Sequence, residues 1–253
     1  MIYLKHRRKA FTIGNSFIFT ILTLVEDDTF TLPIYNGGSY DFNVDWGDSS
    51  NDDITAWDDA AVTHTYADAG ATEYTITITG IITGWRFNNG GDKLLMKDIQ
   101  SWGPLLFGNL QAYFTGCTNL TVSATDILDI TATTNCTNFF RSCSSLTTVP
   151  SINSWDWSSV THLTSAWEGA VNFDQDLSGF DVTALVDATD MFTEVTLSTA
   201  NYSALLIGWE AQAVLDNVRL SDTNSKYSAG AAATAKADLI ADHNWTIIDD
   251  GQE

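Results

Sequence analysis

Hydrophobic and polar positions alternate with period two over most of residues 11–80. The runs FIFTILTLV (17–25), TFTLPI (29–34), SYDFNVDW (39–46) and EYTITITG (73–80) are rich in Thr, Ile, Val and aromatics, the signature of half-buried strands. The turn-forming stretches NGGS, GDSSNDD and ADAGAT separate them. This pattern predicts a small antiparallel sandwich.

From residue 98 to 197 the alternation gives way to a repeat of about 26 residues, a period typical of stacked units. An apolar anchor sits at Trp102, Leu128, Trp155 and Phe180, and an aromatic follows twelve positions later at Phe114, Phe140, Trp167 and Phe192. An acid follows three anchors, at Asp129, Asp156 and Asp181. Positions five and eight after the anchor are mostly apolar: Phe107 and Leu110, Val160 and Leu163, Leu185 and Ala188. The second unit departs there with Thr133 and Cys136. The tags FTGCTNL, FRSCSSL and WEGAVNF place a small residue three positions, and a large apolar one six positions, beyond the aromatic; FTEVTLS breaks this rule.

Such a unit cannot bury its own apolar face, but stacked neighbours bury it in a continuous core. The spacing predicts a helical turn feeding a short strand in each unit, with the small tag residue where adjacent coils come closest. After Leu197, TANYSALLIGW has helical spacing. SAGAAATAKADLIADHNW predicts a second helix capped by Ser228, and WTIID a closing strand. Together they would cover the last open coil. The expected fold is mainly β with short helices: an N-terminal Ig-like β-sandwich, a short leucine-rich-repeat solenoid and a helical C-terminal cap. The expected boundaries are a basic arm at 1–11, the sandwich at 12–82, repeats at 83–197 and the cap at 198–253.

Charge narrows the possible partners. The chain has 32 acids against 11 bases and a net charge of −21. Four of the bases, Lys5, Arg7, Arg8 and Lys9, lie in the first ten residues, which hold no acid. The rest of the surface is therefore more acidic still and disfavours nucleic acid and anionic lipid, both of which need a basic face. KHRRK is either a solvated tail or a docking arm. With the apolar run after it, the arm imitates a secretory leader, but Asn15, Ser16, Thr20 and Thr23 interrupt that run and EDD follows it. The run is too short and too polar to span a membrane.

Two resemblances sharpen the fold. The stretch VDWGDSS with Trp46, Gly47 and Asp48, followed by His64 and Tyr66 in VTHTY, Gly70 and YTITI, resembles PKD-type Ig-like domains. Ser49 stands where that family usually has a second glycine. The stretch SWDWSSVTHLTSAWEGAVNFDQDLSGFDV resembles BspA-type leucine-rich repeats of bacterial and phage surface proteins. NYSALLIGW and the segment from Asn224 to Ile247 are similar to the ends of such arrays. The resemblance implies surface recognition or a structural role and carries no catalytic motif.

The candidate chemistry agrees with that. The chain holds no nucleophile motif, phosphate loop, dinucleotide fingerprint or HExxH. His64 is expected to make a structural hydrogen bond, and His162 to lie exposed on a coil. The cluster Asn172, Asp174 and Asp176 reads first as a turn bonding its own backbone; a calcium or glycan contact, or a glycosidase pair, is the alternative. Trp57 and Trp157 fall outside the repeat frame and are expected on an exposed recognition surface. Cys117 and Cys143 share one repeat position as small buried residues. In DFNVDWGDSSNDD, period two points Trp46 inward and Asp45 outward, leaving Asp48, Asp52 and Asp53 as a weak calcium site at most. No other cofactor is expected. The reading is a non-enzymatic virion surface protein of a tailed phage (head decoration, fibre or tail adhesin). It would be oligomeric in an assembly and contact other virion proteins, or a host glycan or protein. A secreted bacterial adhesin with the same modules is the alternative.

Overall fold

The computed structural model describes residues 16–67, 70–221 and 224–253, and the molecule is mainly β with short helices. The basic stretch Lys5, Arg7, Arg8 and Lys9 lies outside the described residues.

The alternating runs become the strands β1 (Phe17–Leu22), β2 (Asp28–Thr31), β3 (Ser39–Asp45), β4 (Asn51–Ile54), β5 (Thr63–Tyr66) and β6 (Glu73–Thr83). The chain continues through β7 (Met96–Ser101), β8 (Leu105–Leu106) and β9 (Thr121–Val122). Seven strands form one sheet in the order β4-β3-β6-β1-β7-β9, with β8 added in parallel to β6; β2 and β5 form a separate antiparallel pair. Alternation sets the buried face: Phe17, Phe19 and Ile21 of β1, Phe42 and Val44 of β3, and Ile76, Ile78 and Ile82 of β6 are all buried. The small sheet packs against the large one through Phe30 on Phe19 at 5.8 Å and Tyr66 on Tyr74 at 4.2 Å between ring centroids. β1 ends before Leu24 and Val25, which are exposed, so the first run is shorter than the alternation suggested.

The large sheet runs through the boundary expected between residues 82 and 83. β1 pairs with β6 on one edge and with β7 on the other, and β7 pairs in parallel with β9. The first coil of the repeat region is thus built onto a strand of the sandwich. One continuous set of buried side chains reaches from Phe17 to Trp245.

Outside the strands the coils stack through backbone hydrogen bonds made by alternate residues. The amides of Ala112, Phe114 and Gly116 donate to the carbonyls of Thr137, Phe139 and Arg141. Those of Cys136, Asn138, Phe140 and Ser142 donate to His162, Thr164, Ala166 and Glu168. Those of Leu163, Ser165, Trp167 and Gly169 donate to Asp187, Thr189, Met191 and Thr193. Among the described residues, the second to fourth coils show neither the predicted helical turn nor a short strand between anchor and aromatic. Their pairings of strand type, among the described residues, are single parallel bridges: Asn135 with His162, His162 with Asp187 and Ala188 with Leu220. The reason lies in the backbone. Each coil carries two residues with positive φ, four apart, on either side of the frame aromatic: Ala112 and Gly116, Asn138 and Ser142, Ser165 and Gly169, Asp190 and Glu194. Left-handed residues at that spacing interrupt both helix and strand. They recur with the period of the anchors.

The aromatics between them form a column. Centroid distances are 5.6 Å from Phe114 to Phe140, 6.1 Å from Phe140 to Trp167 and 5.9 Å from Trp167 to Phe192. Thr133 and Cys136, chemically divergent, are still buried at their frame positions. The tag residues Cys117, Cys143, Ala170 and Val195 are fully buried. All three thiols are free, and the Cys143 thiol donates to the Phe114 carbonyl. Burial pushes the thiols of Cys136 and Cys143 well up from their ordinary range.

The last coil is closed by α1 (Thr199–Glu210), β10 (Arg219–Ser221), α2 (Ala231–His243) and β11 (Thr246–Ile248). Ser198 caps α1 by accepting from the Asn201 amide. Ser228 does not cap α2. Its amide is drawn instead to Ser203 Oγ at 2.9 Å, and α2 begins after Gly230. A Cβ at Gly208 would lie 2.6 Å from the Ser178 carbonyl oxygen, so the glycine lets α1 press onto the fourth coil. There Gln212 binds both the Phe180 carbonyl and the Val182 amide, replacing the coil that would come next.

Trp157, expected on the surface, is 1% exposed. It stacks on Phe180 of the next coil at 3.9 Å and on Trp155 at 5.6 Å, and its indole donates to the Ile152 carbonyl. Period two places it on the same side as Trp155, two residues earlier. Trp157→Ala is expected to cost about 3–5 kcal/mol, measured by denaturant unfolding of the whole chain. A loss below about 1 kcal/mol would mean the stack adds nothing.

Candidate interaction surface

The aspartate-rich corner after β3 is an internally bonded unit. Trp46 is fully buried, with its indole donating to Asp52 Oδ2 at 2.8 Å and its ring stacked on His64 at 4.9 Å and 9°. Tyr66 O–H donates to the Trp46 carbonyl. Asp45 is exposed and accepts from the Gly47 amide. Gly47 has φ +83°, and a Cβ there would sit 2.5 Å from the Thr75 carbonyl oxygen, so only glycine turns the chain at this point. Ser49 adopts φ +78° where the resembling family has glycine.

Asp48 accepts from the Ser50 amide through Oδ1 and meets His64 Nε2 at 2.7 Å through Oδ2. Partial burial pushes its carboxyl up, but the hydrogen bonds from Ser50 and His64 outweigh this and hold it below its ordinary value of 3.8. Asp53 accepts from Asn43. The carboxylates expected to share a cation are therefore each committed to a different protein group: Asp48 to His64, Asp52 to Trp46 and Asp53 to Asn43. Among the described residues no three His, Cys, Asp or Glu side chains are grouped to hold a metal ion.

The second acidic cluster is likewise structural. Asn172 donates to the Ser144 carbonyl at 2.7 Å. Asp174 accepts from the Ser198 amide and from Asn201, tying the third coil to the start of α1. Asp176 accepts from the Ser178 amide, and its carbonyl accepts from Asn153. Gln175 binds both polar groups of Val149. These bonds hold turns and stitch coils to neighbouring segments. The frame acids do the same within a coil: Asp129, Asp156 and Asp181 each accept from the amide two residues on. His162, expected to be exposed, is half-buried, and its carbonyl accepts from Cys136 of the coil before.

Trp57 remains as a candidate contact. It is 42% exposed in the loop after β4, between Ala56 and Asp58. Sequence reasoning missed other exposed apolar residues. Ile81 faces outward by strict alternation from Ile82, a readable signal, and Val171 and Val186 stand out from the third and fourth coils. It also missed an apolar pocket of about 160 Å³ at the anchor edge of the second and third coils, between Ile127 and Asp156. Its only sequence signal is a leucine anchor where the neighbouring coils have tryptophan.

The fold is that of a short stacked-coil protein whose first coil grows out of a β-sandwich sheet. The chain belongs to the family described as "Mycoplasma protein of unknown function, DUF285", whose model matches residues 87–228. That match fits a BspA-type repeat and spans the coils, α1 and β10. No curated protein and no solved structure matches the chain. Among the described residues no helix is long and apolar enough to cross a membrane.

The lowered carboxyl of Asp48 makes a pH prediction. Because its folded pKa lies below the unfolded one, its contribution is full above about pH 4 and is lost as pH falls through the folded value. Asp48→Asn is therefore expected to unfold at lower denaturant than the parent at pH 7, with the gap narrowing at about pH 3. A gap of the same size at both pH values would remove the charge from the explanation.

Proposed function

We propose that this is a non-enzymatic surface-display protein that presents the sandwich corner and the coil faces to a protein or glycan partner. One observation carries the reading. The aspartate clusters that could have done chemistry are spent on turns, caps and coil-to-coil bonds, whereas the exposed large aromatic among the described residues is Trp57, beside acids, on a loop held by the sandwich. An exposed aromatic on a rigid support suits recognition. We read residues 12–82 as a PKD-type Ig-like module. The pairing of that module with BspA-type repeats supports a place on the particle of a tailed phage, as a head decoration, fibre or tail adhesin, in contact with other virion proteins and oligomeric in the assembly. A bacterial surface adhesin is the competing assignment.

Glycan and surface-protein arrays probed with the full chain test the contact. Trp57→Ala is expected to weaken binding by about 1–3 kcal/mol with unchanged unfolding stability. Equal binding by the variant would remove Trp57 from the contact. Hydrolysis of a bound glycan, lost in Asp174→Asn, would replace the reading with an enzymatic one. Co-sedimentation with phage particles against whole bacterial cells separates the two locations.

A further inference from the structure

The described residues begin at Ser16, the point to which the preceding fifteen residues are attached. Ser101 Oγ lies 2.9 Å from both the Ser16 carbonyl oxygen and Asp126 Oδ2. Asp126 is fixed there by the amides of Trp102 and Gly103. The next residue, Ile127, lines the pocket of about 160 Å³ together with Leu128, Ile130, Asp129 and Asp156. Each of those carboxylates uses Oδ1 for its own turn, with Thr131 and Ser158 respectively. Neither Oδ2 carries a hydrogen bond or ion pair among the described residues.

We propose that the N-terminal arm of the same chain docks on this edge, with the Phe11 ring in the pocket and Lys9 and Arg8 against Asp129 and Asp156. The volume fits, since a dry cavity of about 150 Å³ admits benzene. The reach fits too. An extended chain covers at most about 3.6 Å per residue, so the five residues from Ser16 back to Phe11 span up to roughly 18 Å. The three residues from Asp126 to Asp129 cover no more than roughly 11 Å by the same measure. The charge also matches: the first ten residues hold four bases and no acid, against a chain of net −21. Exposed ion pairs alone are weak and salt-screened. The ring in the pocket is therefore what selects this acidic edge over the many others.

Carbodiimide coupling of the full chain, read by peptide mass spectrometry, tests this, because it joins a lysine amine to a carboxylate in direct contact. Links from Lys9 to Asp129 or Asp156 are expected in the monomer fraction. They are expected to be lost in Asp129→Asn/Asp156→Asn, whose amide oxygens keep both turns, and in Phe11→Ser, which leaves every charge in place. Links confined to a dimer fraction would assign the edge to a second copy and overturn the proposal. Links spread evenly over other carboxylates, or an undiminished yield from Phe11→Ser, would overturn it equally.

Discussion

The backbone ladder between coils is the constraint on which the rest depends. Alternate residues of each coil donate amides to the next coil, from Ala112 through to Gly169. Buried amides and carbonyls must be paired, and a coil this short, without helix or true strand, cannot pair its own. Each coil therefore needs a neighbour on both sides. The frame aromatics follow from the same geometry. Held between two left-handed residues, Phe114, Phe140, Trp167 and Phe192 all project into one column.

That requirement explains both ends of the array. At the start, β7 supplies a ready-made edge because it is already paired with β1 of the sandwich, and β9 adds to it in parallel. At the finish, Gln212 and the indole of Trp209 satisfy the backbone of the fourth coil from α1. Sandwich, coils and helices thus share one continuous core. A module boundary drawn between residues 82 and 83 marks a change of sequence pattern inside a continuous sheet.

The acid surplus takes a different meaning in this setting. Aspartates at Asp129, Asp156 and Asp181 hold turns at one point of successive coils, Asp176 holds a turn of its own, and Asp126 and Asp174 bind amides of neighbouring segments. Coils built largely of turns leave many amides outside any helix or strand, and a short carboxylate side chain is a ready acceptor for them. Much of the negative charge is thus architecture, and in the proposed function the contact falls to exposed side chains such as Trp57.

The sequence by itself determined the strands, because alternation reports directly which face is buried. It determined the repeat period too, because identical positions in stacked coils meet identical surroundings. The inward Trp46 and outward Asp45, the first helix and the buried column could all be read from it. Tertiary structure decided what depends on contacts between distant segments. Trp157 is off the repeat frame yet is buried, because Phe180 of the next coil covers it. Ser228 looks like a cap, but its amide is taken by Ser203. Among the described residues the second to fourth coils carry no helical turn between anchor and aromatic, because left-handed residues such as Asn138 and Ser142 divert the backbone toward the neighbouring coil, and hydrophobic spacing carries no record of the sign of φ. The pocket at Ile127 was invisible for a related reason: it exists only where two coils stand side by side.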